Sequence, residues 1–206
     1  MQLHGNPNVG KSTVFNGLTG MHQHTGNWPG KTVANAAGIC EYKEDTFLLI
    51  DIPGTYSLMS NSEEEEIARN YICFGNPDAT VVIVDATCLE RNLNLVYQTM
   101  EITPNIIVCV NLLDEAKKKG IHIDLEELEK ILGVPVVGIV ARKQKTLSNL
   151  MKKVQLVCHK ETEIVPKKIE YLPYIEEGIE ILQKKNRKNF TRRQNVYIEM
   201  DSIKIN

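Results

Sequence analysis

The sequence predicts an α/β domain with a mostly parallel central sheet, helices on both faces, and the start of a small helical appendage. Three observations predict it. Short Val/Ile-rich runs recur at residues 46–51, 79–85, 105–111 and 134–140. Each is too short for a buried helix and reads as an interior strand. Longer amphipathic segments separate the runs, the alternation that builds parallel sheets. Groups able to handle phosphate and a base fall at the ends of the runs, where open sheets of this kind bind ligands.

Taken in order, residues 1–4 precede Gly5 as a first strand, short for a central position, which suggests a clipped start. Residues 13–20 read as a helix, and 22–35 as a long polar, Gly-containing loop, a kind that is usually functional. Ser62 with Glu65, and Asp124 with Glu127, have capping-box spacing; Ile123 and Leu128 flank the second as a hydrophobic staple. Leu147, Leu150, Met151, Val154 and Cys158 repeat at helical spacing and should close the domain. A polar linker after Lys160 leads to Pro173, well placed to open a helix, with Ile175, Ile179 and Leu182 as its apolar stripe. Two regions follow: a main domain at 1–160, and 161–206 as a partial helical spacer whose tail, 191–206, has no assigned role.

The 206 residues contain no run of roughly 20 apolar residues, so no membrane span is expected. Polar Asn6 and Asn8 arrive at once, which argues against a secretory leader. The five cysteines (Cys40, Cys73, Cys88, Cys109, Cys158) show no paired spacing, and three sit in apolar runs as small hydrophobes, consistent with a cytoplasmic setting. Residues 1–141 carry 9 Lys/Arg against 18 Asp/Glu, and 142–206 carry 15 against 8. The basic residues of the second part interleave with acids at helical spacing, so they read as a solvated face before a surface for lipid or nucleic acid.

Gly5-Asn6-Pro7-Asn8-Val9-Gly10-Lys11-Ser12 followed by Thr13 has the form G-x-x-x-x-G-K-[ST]. Its glycines let backbone N–H groups turn inward on phosphate, Lys11 reaches the β- and γ-phosphates, and the Ser12 hydroxyl suits Mg²⁺. Asp51-Ile52-Pro53-Gly54 ends a strand, where Asp51 can hold Mg²⁺ through water and the Gly54 N–H can approach the γ-phosphate. Within the 22–35 loop, Gly30-Lys31-Thr32-Val33 is the stretch expected to face nucleotide, with Thr32 closing on Mg²⁺ and the γ-phosphate. The single tryptophan, Trp28, lies in the same loop. No glutamine follows Gly54, so the water-positioning residue of many regulatory GTPases is missing and turnover should be slow.

Asn111-Leu112-Leu113-Asp114 ends the 105–111 run. A carboxylate there pairs with guanine N1–H and its exocyclic amine, and would be left unpaired by adenine; such sites discriminate by roughly 10⁴–10⁵. Leu112 stands where N-K-x-D has lysine and can cover the base by apolar contact. Val140-Ala141-Arg142 ends the last run, and a backbone N–H there is expected at guanine O6. Together these motifs predict a P-loop GTPase fold binding GTP and GDP, with Asn8, Lys11 and Thr32 as candidate catalytic groups.

The chain resembles the cytosolic N-terminal G domain of bacterial ferrous iron transport protein B. The resemblance covers roughly residues 1–160 and rests on G-N-P-N-V-G-K-S-T from Gly5, G-N-W-P-G-K-T-V from Gly26, D-I-P-G-T-Y-S-L from Asp51, N-L-L-D from Asn111 and V-A-R-K from Val140. It implies a GTP switch for a Fe²⁺ permease, acting at the cytoplasmic face of the inner membrane, with the membrane domain outside this chain. It also implies K⁺ beside the phosphates, held by Asn8 and by carbonyls near Gly26 and Trp28, offsetting charge as an arginine finger does elsewhere. Two other readings stay open. One is a soluble GTPase of ribosome assembly or RNA modification, disfavoured because no G-x-x-G loop or aromatic–basic strand follows Lys160. The other is a chain that binds nucleotide without useful turnover.

Overall fold

A computed structural model describes residues 1–20, 23–26, 35–58, 63–185, 191 and 194. Seven strands form one sheet: β1 (Gln2–Gly5), β2 (Gln23–Gly26), β3 (Asn35–Tyr42), β4 (Asp45–Asp51), β5 (Thr80–Asp85), β6 (Ile106–Asn111) and β7 (Val136–Gly138), in the order β2-β3-β4-β1-β5-β6-β7. β1 pairs in parallel with β4 and β5, and β5–β6 and β6–β7 are also parallel. β2–β3 and β3–β4 are antiparallel. Four residues suffice for the central strand because its backbone is paired on both sides.

The expectation of a loop throughout 22–35 is corrected: Gln23–Gly26 is a strand, paired residue by residue with 35–38 of β3. β3 itself escaped the sequence reading. It forms a ribbon with β4 in which Cys40 and Phe47 are buried and oppose one another.

Side chains alternate across each strand, and both faces are covered, which explains the continuous apolar runs. Leu3, Val81, Ile83, Ile107 and Cys109 pack with Val14 and Phe15 of α1 (Lys11–Thr19) and with Leu147, Leu150, Met151 and Val154 of α6 (Gln144–Cys158). Cys158, expected in that stripe, is only half-buried; Val157 is the buried residue of the last turn. On the other face Val82, Val84, Val108 and Val110 meet Val96 and Met100 of α3 (Leu89–Met100) and Leu128 and Leu132 of α5 (Leu125–Leu132). There, too, Ile72 and Cys73 of α2 (Glu63–Phe74) pack with Ile52, Leu58 and Leu95. The short α4 (Leu113–Lys118) follows β6.

The Asp124 carboxylate caps α5 by accepting from the Glu127 N–H at 3.0 Å, the cap expected from spacing. Ser62, the other expected cap, lies outside the described residues. The linker after α6 is docked: Lys167 N–H donates to Leu132 O (2.9 Å), and a Cβ on Gly133 would sit 2.1 Å from Val165 O. Helix α7 (Pro173–Lys185) starts at Pro173; of its expected stripe Ile179 is buried and Ile175 is 36% exposed. No described helix is long and apolar enough to cross a membrane.

Candidate functional site

The described motif residues lie near the carboxyl ends of β1, β2, β4, β6 and β7. The loop between β1 and α1 opens into a cavity of about 460 Å³ lined by Asn6, Pro7, Asn8, Gly10, Lys11, Ser12, Thr13 and Gly54. A second cavity of about 320 Å³ is lined by Leu112, Asp114, Glu115, Val140, Ala141 and Arg142, and shares Asn8, Gly10 and Thr13 with the first. The two are therefore neighbours across the start of α1.

Two local features hold the loop in shape. Gly10 caps α1 at φ 83, and a Cβ there would stand 2.5 Å from the Asn111 amide nitrogen, so a side chain is excluded by conformation and by space. Gly54 lies against the loop backbone, where an added Cβ would be 3.2 Å from Pro7 N. The next residue, Thr55, donates its N–H to Gly5 O (3.2 Å), tying the two phosphate motifs together. Asn8 is exposed with φ 66, a left-handed conformation that asparagine tolerates. Lys11 Nζ is ion-paired with the Asp51 carboxylate. Ser12 and Thr13 are exposed to the cavity.

Asn111 acts on the loops. Fully buried, it donates from Nδ2 to Val9 O (2.9 Å) and accepts at Oδ1 from the Ala141 N–H (3.1 Å), joining the phosphate loop, β6 and the segment after β7. Of the segment in which a backbone N–H is expected at guanine O6, the Ala141 N–H is donated to Asn111 in this structure. The Val140 N–H is likewise donated, to Thr146 Oγ1 (3.2 Å). Leu112 takes φ 62 and turns the chain so that α4 begins with Asp114 in its first turn at the cavity. Glu115, beside it, is paired with Lys118 (2.9 Å).

Three of the residues expected at nucleotide turn their side chains toward the core, which leaves their backbone groups as the ones available to a ligand. Val9 and Ile52 are buried among apolar side chains, and Leu113 lies against Gly138, where an added Cβ would meet its Cδ1 at 2.5 Å. Their neighbours face the cavities, so these side chains support them from behind. Gly26 ends β2. Trp28, Gly30, Lys31, Thr32 and Val33 lie outside the described residues.

Sequence reasoning missed two groups. His4 is fully buried on β1 with neither ring nitrogen hydrogen-bonded, and burial, aided by the Lys11 charge, lowers its pKa to about 3. Gln98 of α3 is buried and accepts from the Leu58 N–H (2.7 Å), four residues after Gly54. The available signal was a glutamine among the apolar Leu95, Val96 and Met100 of α3.

Comparison with known proteins agrees with this geometry. Residues 1–154 match the family model described as ferrous iron transport protein B. The chain is 43% identical over 152 residues to the Fe(2+) transporter FeoB of Salmonella typhimurium, an alignment covering 72% of this chain and 20% of that protein. It thus spans about one fifth of the length of the curated relatives it matches. Among solved structures, the cytosolic domain of the T. maritima FeoB iron transporter in a GDP form is similar with TM-score 0.84 and 36% identity, over 94% of this chain and 76% of that one. The FeoB G domain of Methanococcus jannaschii is similar with TM-score 0.68 and 47% identity, over 77% and 96%. The phosphate loop, the D-x-P-G turn and the N-x-x-D strand end therefore sit on a G-domain fold, and the chain belongs to the ferrous iron transport protein B family.

Proposed function

We propose that this chain is the guanine-nucleotide switch of a ferrous iron transporter, binding GTP and hydrolysing it slowly with Mg²⁺. One observation carries the reading: a cavity lined by the phosphate loop adjoins a second, sharing Asn8, Gly10 and Thr13, whose wall holds Asp114. A polyphosphate in the first would place its base against the second. Relatives of this chain have been solved with GDP, which supports the same reading.

Backbone N–H groups of 6–12 would wrap the phosphates, and Lys11 would exchange Asp51 for the β- and γ-oxygens. The Ser12 hydroxyl and the Asp51 carboxylate are hard oxygen donors on neighbouring loops, a set that fits hydrated Mg²⁺. When bound, the ion supplies neutralisation of phosphate charge. Thr32 would close from the loop after β2, and Gly54 would present its N–H to the γ-phosphate. Asp114 would select guanine, with Leu112 and Arg142 flanking the base. Thr55, Tyr56 and Ser57 follow Gly54 with no glutamine, so water is not oriented in the usual way and turnover is low. Asn8, exposed and lining both cavities, would hold K⁺ with carbonyls near Gly26 and Trp28. Residues 1–160 are the G domain and 161–206 the start of a helical spacer leading to a permease, which puts the switch at the cytoplasmic face of the membrane.

Calorimetry tests the core of this reading. GDP should bind the intact chain with heat that Lys11→Ala abolishes, and ADP should give none. Asp114→Asn should shift preference from guanine to xanthine nucleotides; an unchanged preference would remove the base assignment. Phosphate release should be faster in K⁺ than in Na⁺, with Asn8→Ala erasing the difference; equal rates in both salts would retire the K⁺ site. Fe²⁺ uptake by cells carrying the complete transporter should fall to background with Lys11→Ala, and normal uptake would separate nucleotide from transport.

A further inference from the structure

Helix α3 is in contact with the turn after Gly54 along one face and with the helical appendage at its end. Arg91 lies over the Tyr56 ring, 4.3 Å from its centroid. Gln98 Oε1 accepts from the Leu58 N–H (2.7 Å) and from Ser57 Oγ (3.3 Å), while Gln98 Nε2 donates to Asn94 Oδ1 (3.3 Å). Leu58 itself is buried with Leu95 and Ile102. Positions 91, 94, 95 and 98 fall on one stripe of a helix, so a single face of α3 grips residues 56–58. That segment follows directly from Gly54 and Thr55, which lie on the phosphate loop.

The other end of α3 is also engaged. Glu101, its C-terminal cap residue, accepts from Tyr171 OH at 2.8 Å. The Tyr171 N–H donates to Glu176 Oε1 (3.1 Å), in the first turn of α7. An α-helix of 12 residues is about 18 Å long and stiff over that length, so displacement at one end is felt at the other.

We propose that α3 is a coupling rod between nucleotide and appendage. Gln98 is the positioning residue that holds 55–58 against the phosphate loop, and the Glu101–Tyr171 contact transmits the position of α3 to α7. The proposal deepens the nucleotide-switch reading and rests on it. Coupling of this kind is reciprocal, so a change at Tyr171 must alter nucleotide handling as a change at Gln98 does.

The test is release of fluorescent N-methylanthraniloyl-GDP from the full chain, with GTP turnover and thermal unfolding measured alongside. Gln98→Leu removes the acceptor for the Leu58 N–H and should change release by about threefold or more, the scale of one hydrogen bond. Gln98→Glu keeps an acceptor and should restore a rate near wild type. Tyr171→Phe removes only a hydroxyl from the far end and should change release about twofold in the same direction. The double variant Gln98→Leu/Tyr171→Phe should be no further displaced than Gln98→Leu alone. A Tyr171→Phe rate equal to wild type, or effects that simply multiply, overturns the coupling. So does a Gln98→Leu chain that melts earlier yet releases GDP at the wild-type rate. If Gln98→Leu does not fold, Tyr171→Phe and Gln98→Glu still decide the matter. A wild-type chain that binds no GDP overturns the nucleotide reading itself, an outcome distinct from normal binding with uncoupled rates.

Discussion

The two faces of the sheet are built on different principles. Against α1 and α6 the layer is dry and apolar, running from Leu3 and Val81 through Phe15 to Leu150 and Val154. On the other face the central strand presents Gln2 and His4, with Thr80 beside Gln2 on β5, and Asn6 follows at the start of the phosphate loop. Gln2 Oε1, both His4 nitrogens, both Asn6 side-chain atoms and the Thr80 hydroxyl are buried without a hydrogen bond. Arg69 of α2, fully buried as well, is partnered: its guanidinium donates to Asn70 Oδ1 (3.3 Å). An unmet buried polar group costs about 1–3 kcal/mol, so the second layer stores destabilisation that the first does not.

The difference falls where function would place it. The dry layer fixes α1, and with it the phosphate loop, on a rigid platform. The polar layer lies on the side of the helix following the D-x-P-G turn, the part that the proposed nucleotide switch would have to move. Segments that move are drawn from regions of low local stability. Unsatisfied groups near a site are the expected deviation from a consistently packed fold.

The largest test of this contrast is on the dry side. Phe15→Ala should cost about 3–5 kcal/mol, as truncation of a fully buried aromatic does. Urea unfolding followed by circular dichroism would read it; a loss below 1 kcal/mol would mean that the layer collapses around the gap and is no platform.

The polar side should show itself in acid. His4 has its pKa lowered to about 3 by burial, with the Lys11 charge adding, against 6.5 for a free histidine. Between those values the unfolded chain takes up the proton and the folded chain does not. Stability is therefore complete above pH 6.5 and declines as pH falls toward 3, by about 1.4 kcal/mol per unit. Near pH 4.5 the loss from this residue is about 3 kcal/mol. His4→Leu should flatten that part of the profile in urea titrations at several pH values. A wild-type slope that survives the substitution would assign the acid sensitivity elsewhere.

Much of this molecule was legible in the sequence, for identifiable reasons. The phosphate loop, the D-x-P-G turn and N-x-x-D are local, each spelled within eight residues or fewer. β5 and β6 announced themselves because both of their faces are buried. The edge ribbon did not: β2 is four residues of Gln, His, Thr and Gly, and its partner begins Asn-Ala-Ala-Gly, neither with strand character. The work of Asn111 was hidden because its two partners are 102 and 30 residues away. The core-facing side chains of Ile52 and Leu113 were not legible either, since side chains within a motif alternate between cavity and core. The polar layer was equally hidden, since nothing local to Gln2, His4 and Asn6 marks them as buried.

The smallest effect is the sharpest, because one substitution should change sign between the faces. Thr19 on α1 is buried and donates its hydroxyl to Phe15 O at 2.9 Å. Thr80 is as deeply buried, and its hydroxyl has no partner. Valine has nearly the same shape as threonine but lacks the polar group. Thr19→Val therefore loses a made bond and should destabilise by about 1 kcal/mol, while Thr80→Val sheds an unpaid desolvation cost and should stabilise by about 1 kcal/mol. The pair controls for size and β-branching, so only hydrogen-bonding state separates the two results. Denaturation midpoints that move in the same direction would show that the hydroxyl at Thr80 is satisfied in solution, and that the two layers differ less than their side chains imply.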